Sequence, residues 1–238
     1  MGKEGNQNYR VKAQEVEPIK NMKDINRVKQ FFLSKEEVRN YTIFVLGINV
    51  GLRAGDLLSL KMGDVFEKID DNIYCLVDEV NILEGKTNKT RTFTLNESAK
   101  EAIAFYVENL NPDYIYTTGN SNTTKKKKTN VDETRFKDIP INDYLFKSRK
   151  GSNSKLRVDS LHKIVKSTMR DLGIKGNYGT HTLRKTFGYF AFTNNVKDNP
   201  RILQELQKIF NHSSEFITLS YIGITKESIT NIYNSVNL

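Results

Sequence analysis

Arg53, His181, Arg184, His212 and Tyr221 follow one another along this chain in an order that suits phosphoryl transfer to a protein hydroxyl. Arginine forks neutralise a phosphodiester, imidazoles hydrogen-bond or move protons, and a phenol attacks phosphorus. Arg53 stands within Gly51-Leu52-Arg53-Ala54-Gly55-Asp56, and His181 and Arg184 bracket His181-Thr182-Leu183-Arg184. Residues three apart on a helix share a face, so this histidine and arginine can address one phosphate. Tyr221 lies nine residues after His212, a span that fits a turn and a helix. Lys86, in the polar turn 84–89, is placed to protonate a leaving 5′ oxygen, although Lys89 shares that turn. Together the set points to the cutting and rejoining of DNA.

Taken singly, each of these residues has a plainer reading. Arg53 alone would be a surface ion-pair partner. His181 and Arg184 alone would be an ordinary pair on a helix surface, and His212 would cap the helix that begins near Ser213. Tyr221 sits among Phe216, Leu219 and Ile222, where a core aromatic is the default. Tyr233 is a rival nucleophile, but its place on an apolar stripe favours packing. His162, between Leu161 and Ile164, matches no motif and reads as structural. One cysteine and three scattered histidines give no support to a zinc site, and no metal or cofactor is expected.

Composition agrees with a nucleic-acid partner without requiring one. The 238 residues carry 37 Lys and Arg against 28 Asp and Glu, a formal net charge of +9. Phosphates neutralised by such a surface release condensed counterions. Between Thr118 and Arg157 stand eleven Lys and Arg against four Asp and Glu, with Lys125–Lys128 as an unbroken basic run. That stretch reads as a solvated loop making incidental DNA contacts. No apolar run reaches the ~20 residues of a membrane helix, and no signal-peptide core opens the chain. The lone Cys75, within an apolar run, reads as a buried thiol in a reducing compartment. The expected location is the cytoplasm, at the nucleoid.

The elements that must position these groups are mostly helical, with a small antiparallel β-sheet. Ile25, Val28 and Phe32 predict a short helix. Ser34 and Glu37 have capping-box spacing for a second, whose stripe is Val38, Tyr41, Val45 and Ile48, with Gly51 as terminator. Arg53 then falls in the turn before a helix over 55–61. Ile73–Val77, Val80–Leu83 and Arg91–Leu95 predict the strands of the sheet. Asn96 is a cap for a helix carrying Ala99, Ile103, Val107 and Leu110. Periodicity fades over 111–154. It resumes in a helix with Leu161, Ile164, Val165 and Met169, ending at Gly173. Thr180 is expected to cap the helix of His181 and Arg184, Asn199-Pro200 to open the next, and Ser213 or Ser214 to start the helix of Tyr221. Thr225 is expected to cap a last helix with Ile229, Ile232, Tyr233 and Val236 on one face.

These boxes resemble the catalytic domain of the tyrosine recombinase (phage integrase) family. Gly51–Leu60 is similar to its first-arginine box, Gly85–Arg91 to its hairpin lysine segment, and Tyr144–Arg149 to the approach to the next helix. His181–Arg184 matches its His-x-x-Arg box, and Asn211–Ser214 with Tyr221 its histidine-to-nucleophile segment. The resemblance runs from about Asn21 to Tyr221 and preserves the order of every box. It implies that Arg53 and Arg184 grip the scissile phosphate and that His181 and His212 hydrogen-bond to it or move protons. Lys86 would protonate the leaving 5′ hydroxyl, and Tyr221 would form a 3′-phosphotyrosine. It also implies a homo-tetramer on paired sites in double-stranded DNA, joined through the C-terminal helix. Three residues depart from the pattern: Asp56 where glutamate is usual, Lys185 where histidine is common, and Asn211 where glycine precedes the histidine.

On this basis 1–20 is expected to be a flexible arm and 21–238 a catalytic domain containing a basic loop over 118–155. The family's N-terminal core-binding domain is expected to be absent, the chain being either a minimal recombinase or a fragment of a longer one. The expected activity is site-specific recombination, as the integrase or excisionase of a mobile element or as a dimer-resolution recombinase. Two alternatives are a DNA-relaxing enzyme of the type IB topoisomerase kind and a non-catalytic or partner-dependent DNA-binding module with the same fold.

Overall fold

Helix α2 (Val38–Val50) lies at the centre of the molecule, and its sequence explains why. Residues 42–47 are all buried, the signature of a helix covered on several sides rather than along one stripe. Helices α1 (Met22–Ser34), α5 (Glu97–Leu110) and α7 (Thr180–Asn195) pack around it. Of the expected stripe only Val45 is fully buried, while Val38, Tyr41 and Ile48 are half-covered. The one hydroxyl in the buried stretch, on Thr42, donates to the carbonyls of Val38 and Ala102. Its single proton is shared between these two acceptors, so the buried hydroxyl is satisfied. The computed structural model describes residues 15–116, 131, 134–224 and 233–236.

Two short helices, α3 (Ala54–Leu57) and α4 (Met62–Val65), lead from α2 into the strands. Six strands follow: β1 (Phe66–Asp70), β2 (Ile73–Leu76), β3 (Glu79–Leu83), β4 (Thr90–Thr94), β5 (Ile115–Tyr116) and β6 (Arg135–Lys137). They form two antiparallel sheets rather than the single one expected. One has the order β1-β2-β6-β5, and the other is the β3-β4 hairpin. The reason is local. Asn72 takes a left-handed conformation, φ 55°, that folds β2 back on β1, with Phe66 opposite Leu76. β3 is thereby left free to pair with β4 instead, Leu83 opposite Thr90.

Helix α6 (Val158–Asp171) buries Leu161, Val165 and Met169 as expected, and Gly173 ends it at φ 64°. Helices α8 (Ile202–Phe210) and α9 (Glu215–Ile222) complete the described fold. The apolar residues fall into two clusters. The large one takes in α1, α2, α5, α6 and both sheets, while Ile202, Leu206, Phe210 and Ile222 form a small one of their own under α8 and α9. Gly188 permits that second cluster to seat against α7, since a Cβ there would meet Phe210 and Ile222 at 2.6–2.7 Å.

Several expectations are corrected. Ser34 does not open α2; its hydroxyl donates back to Phe31 in the last turn of α1, and Glu37 is the N-cap. The cap of α7 is Gly179, one residue before Thr180, with its N–H donating to Thr182 Oγ1. Cys75 is half-buried rather than buried, because β2 turns Tyr74 and Leu76 inward. Residues 15–20 are not a free arm. Glu17 N donates to the Asn177 carbonyl, Ile19 N to Thr186 Oγ1, and Lys20 Nζ to the Gly223 carbonyl, with Ile19 buried. The basic stretch 118–155 contains β6 and fully buried Phe136, Leu145 and Phe146. Phe136 belongs to the core, pairing with Tyr74 across the sheet and stacking edge-on against Phe66, while 118–130 and 132–133 lie outside the described residues. The run Lys125–Lys128 and residues 225–232 of the expected last helix lie outside the described residues. Tyr233 and Val236 are exposed.

Candidate active site

The site begins where α2 ends. A helix C-terminus leaves carbonyls without intrahelical partners and carries partial negative charge. Here two guanidiniums answer it. Arg184 Nη1 donates to the Gly51 carbonyl at 2.6 Å, and Arg91 Nη2 donates to Val50 and Gly51 at 3.2 and 3.4 Å. Gly51 turns the chain at φ 59°, and a Cβ there would come within 2.3 Å of Phe187. Only glycine satisfies both conditions. Two residues on, Arg53 is the N-cap of α3 in extended backbone. Its Nη1 sits 2.6 Å from Glu84 Oε2 and 3.9 Å from Asp56 Oδ2.

The β3–β4 turn is tied to this corner. Asp56 Oδ1 accepts from Gly85 N at 2.9 Å, so the shorter carboxylate still reaches the turn. Lys86 and Lys89 are both exposed. Of the two, Lys86 is the one whose charge bears on His181, as Arg53 and Arg184 also do.

His212 and Tyr221 arrive together on α8 and α9. Asn211 ends α8 at φ 53°, a left-handed position that asparagine tolerates in place of glycine. Ser214 caps α9 by accepting from Ile217 N. The His212 and Tyr221 rings then meet edge to face with centroids 4.9 Å apart, and His212 Nδ1 lies 3.1 Å from Thr218 Oγ1. Burial pushes the Tyr221 phenol up, and the nearby Arg184 and Arg53 charges pull against it. Burial, then Lys185, Arg184, Lys86 and Arg53, pushes His181 below its ordinary value. Burial, then Arg184 and Arg53, does the same for His212. Both shifts favour the neutral form of the imidazole.

Arg184 joins the two halves. It is 3% exposed, and while Nη1 holds Gly51 its Nη2 donates to the Phe210 carbonyl at 3.1 Å. Its guanidinium also lies 4.6 Å over the Phe210 ring. Burial lowers its pKa to about 10, which leaves it charged at neutral pH. Next to it Lys185 sits 4.8 Å over the Tyr221 ring and pairs with Glu15 of the docked N-terminal segment. The departure from histidine at 185 thus places a second cation against the phenol. The Arg53 and Arg184 charges act on His181, His212 and Tyr221 alike, and that of Lys86 acts on His181. His162 stands apart, packed under the backbone of Gly179.

Two members of the cluster escaped the sequence reading. Glu84 is 4% exposed and lies between Arg53 and Arg91, 3.5 Å from Arg91 Nη1, and accepts from Thr87 Oγ1 at 2.7 Å. Arg91 had a signal, since it shares the inward register of β4 with Phe93. Glu84 had none, because its role depends on partners distant in sequence.

Residues 11–228 match the model of the phage integrase family. The chain is 35% identical over 218 residues to the probable integrase/recombinase YoeC of Bacillus subtilis (strain 168), covering 92% of this chain and 95% of that one. It is 24% identical to the tyrosine recombinase XerC of Caldanaerobacter subterraneus subsp. tengcongensis, covering 82% of this chain but 44% of that protein. Among solved structures, XerA recombinase superposes with a TM-score of 0.59 at 19% identity, over 95% of this chain and 66% of that one. XerH recombinase bound to its difH substrate after cleavage gives 0.58 at 18%, over 92% and 53%. The chain therefore spans nearly all of YoeC but about half the length of several Xer relatives.

Proposed function

The chain belongs to the phage integrase family, and on that footing we propose that it cuts and rejoins duplex DNA through a 3′-phosphotyrosine at Tyr221. The observation that carries this reading is the meeting of Tyr221 with His212 and two guanidiniums from distant parts of the chain. Tyr221 Oη attacks the phosphorus and its proton passes to a neutral imidazole, His181 or His212. The bond to the 5′ oxygen breaks, and Lys86 gives that oxygen a proton. Arg53 and Arg184 meet the charge that builds on the non-bridging oxygens. The ester keeps the energy of the broken bond, so a 5′ hydroxyl from another strand can reverse the step.

A nicked duplex that loses its short 5′ fragment on cleavage should trap this ester as a protein–DNA adduct. Because guanidinium and ammonium groups supply the positive charge, EDTA is expected to leave the adduct yield unchanged. A strict magnesium requirement for the cleavage step would overturn the mechanism.

Integration or excision of a mobile element is favoured over dimer resolution, because the near-full-length similarity is to YoeC and the Xer relatives match at lower identity. Exchange between two sites calls for an assembly, and the apolar surface for one is present at exposed Phe216 and Ile217 of α9 and at Tyr233 and Val236. Truncation after Gly223 is expected to leave single-site binding nearly unchanged and to weaken two-site complexes in gel shift. Supercoil relaxation by a lone protomer at full rate would instead favour the topoisomerase-like reading.

A further inference from the structure

Glu84 is an acidic residue set among cations in a site whose substrate is an anion. Its carboxylate is nearly inaccessible: Arg53 Nη1 forms an ion pair with it at 2.6 Å, Thr87 Oγ1 donates to it at 2.7 Å, and Arg91 Nη1 donates at 3.5 Å. Burial alone would raise this carboxyl. The Thr87 hydroxyl and the Arg53 and Arg91 guanidiniums outweigh it and hold the group below the usual carboxylate range. The backbone of Glu84 is also fixed, since its N–H donates to the Lys89 carbonyl and its carbonyl accepts from Asn88 N. Asp56, three residues after Arg53, meanwhile grips the backbone of Gly85. The stitching is reciprocal: a carboxylate of the turn holds the arginine, and a carboxylate beside the arginine holds the turn.

We propose that Glu84 is a positioning residue for strand cleavage, orienting the Arg53 fork toward the scissile phosphate. A long arginine side chain otherwise samples many rotamers, and ordering one costs entropy at the moment of reaction. Glu84 removes that cost beforehand by engaging Nη1 and leaving the other guanidinium donors for phosphate. The inference rests on the strand-cleavage reading above.

Single-turnover cleavage of the nicked duplex, with binding measured separately, tests it. Glu84→Gln keeps the shape but presents an amide N–H₂ to a ring of donors, so Arg53 loses its anchor. Cleavage is expected to fall by about 10²-fold, as a misaligned group does, with affinity changed by less than about threefold. A duplex with sulfur in place of the bridging 5′ oxygen distinguishes the routes, because a thiolate leaves without a proton. The Glu84→Gln defect should persist on that substrate, since Arg53 acts on the non-bridging oxygens. The defect of Lys86→Ala should vanish there. Thr87→Val, a milder change that keeps the charge, should lower cleavage in the same direction but less. Wild-type cleavage by Glu84→Gln overturns the proposal. So does full relief by sulfur, which would route the effect through Lys86, or a loss of binding and thermal stability that accounts for the whole defect. If sulfur fails to relieve Lys86→Ala, it is the general-acid assignment that falls, and Glu84 is still judged on its own arm.

Discussion

Tyr221→Phe is expected to abolish the covalent adduct while the protein folds and binds DNA as before. The phenol ring packs against Phe210 and His212 with centroids at 5.4 and 4.9 Å, and phenylalanine keeps both contacts. Stability should move by no more than about 1 kcal/mol, the net value of a typical hydrogen bond. Only the attacking oxygen is lost, so cleavage should drop to the background of the assay. The check is adduct formation on the nicked duplex beside a thermal melt. An adduct that survives in Tyr221→Phe and disappears in Tyr233→Phe would move the nucleophile to the rival tyrosine.

Arg184→Lys should cut cleavage by about 10²–10³-fold, the usual penalty for removing one preorganised donor at a developing charge. A lysine keeps the charge but has no planar fork. It can reach the Gly51 carbonyl or the Phe210 carbonyl, and not both with the geometry now observed. A lysine that keeps the Gly51 carbonyl leaves the Phe210 carbonyl without this donor, at a cost of about 1–3 kcal/mol in stability, whereas Gly51 retains the Arg91 donor. DNA affinity should change modestly, because many other cations contribute to it. Single-turnover cleavage, gel shift and urea unfolding together measure the three effects. Near-wild-type cleavage in Arg184→Lys would remove Arg184 from the chemistry.

The parts of the fold that sequence revealed are those set by local rules. Gly51 ends α2, Asn96 and Ser214 cap α5 and α9, and Leu161, Val165 and Met169 line the inner face of α6. Each depends on neighbours within a turn or two. The six candidate residues were singled out for another reason: their order and spacing resemble a family, and the family model spans the stretch that holds them. What stayed hidden depends on distant partners. β6 is three residues long and becomes a strand only because β2 offers it an edge. Residues 15–20 dock through backbone donors, which leave no hydrophobic period to read. Glu84 looked like one more polar turn residue because Arg53 and Arg91 meet it only in three dimensions.

The division of the apolar interior into two clusters has a dynamic consequence. Arg53 and the Lys86 turn stand on the large cluster, while Tyr221 and His212 ride on the small one, with four fully buried apolar side chains. Local opening is easiest where buried apolar contacts are fewest. The proposed nucleophile is therefore expected to belong to a cooperative unit of lower stability, tied to the larger one by the two Arg184 hydrogen bonds and by seating against α7. Withdrawing the tyrosine requires releasing that latch and the small cluster, not melting the domain. An attacking group mounted this way can be engaged or retracted at an energy far below that of global unfolding, while the phosphate-binding corner stays assembled.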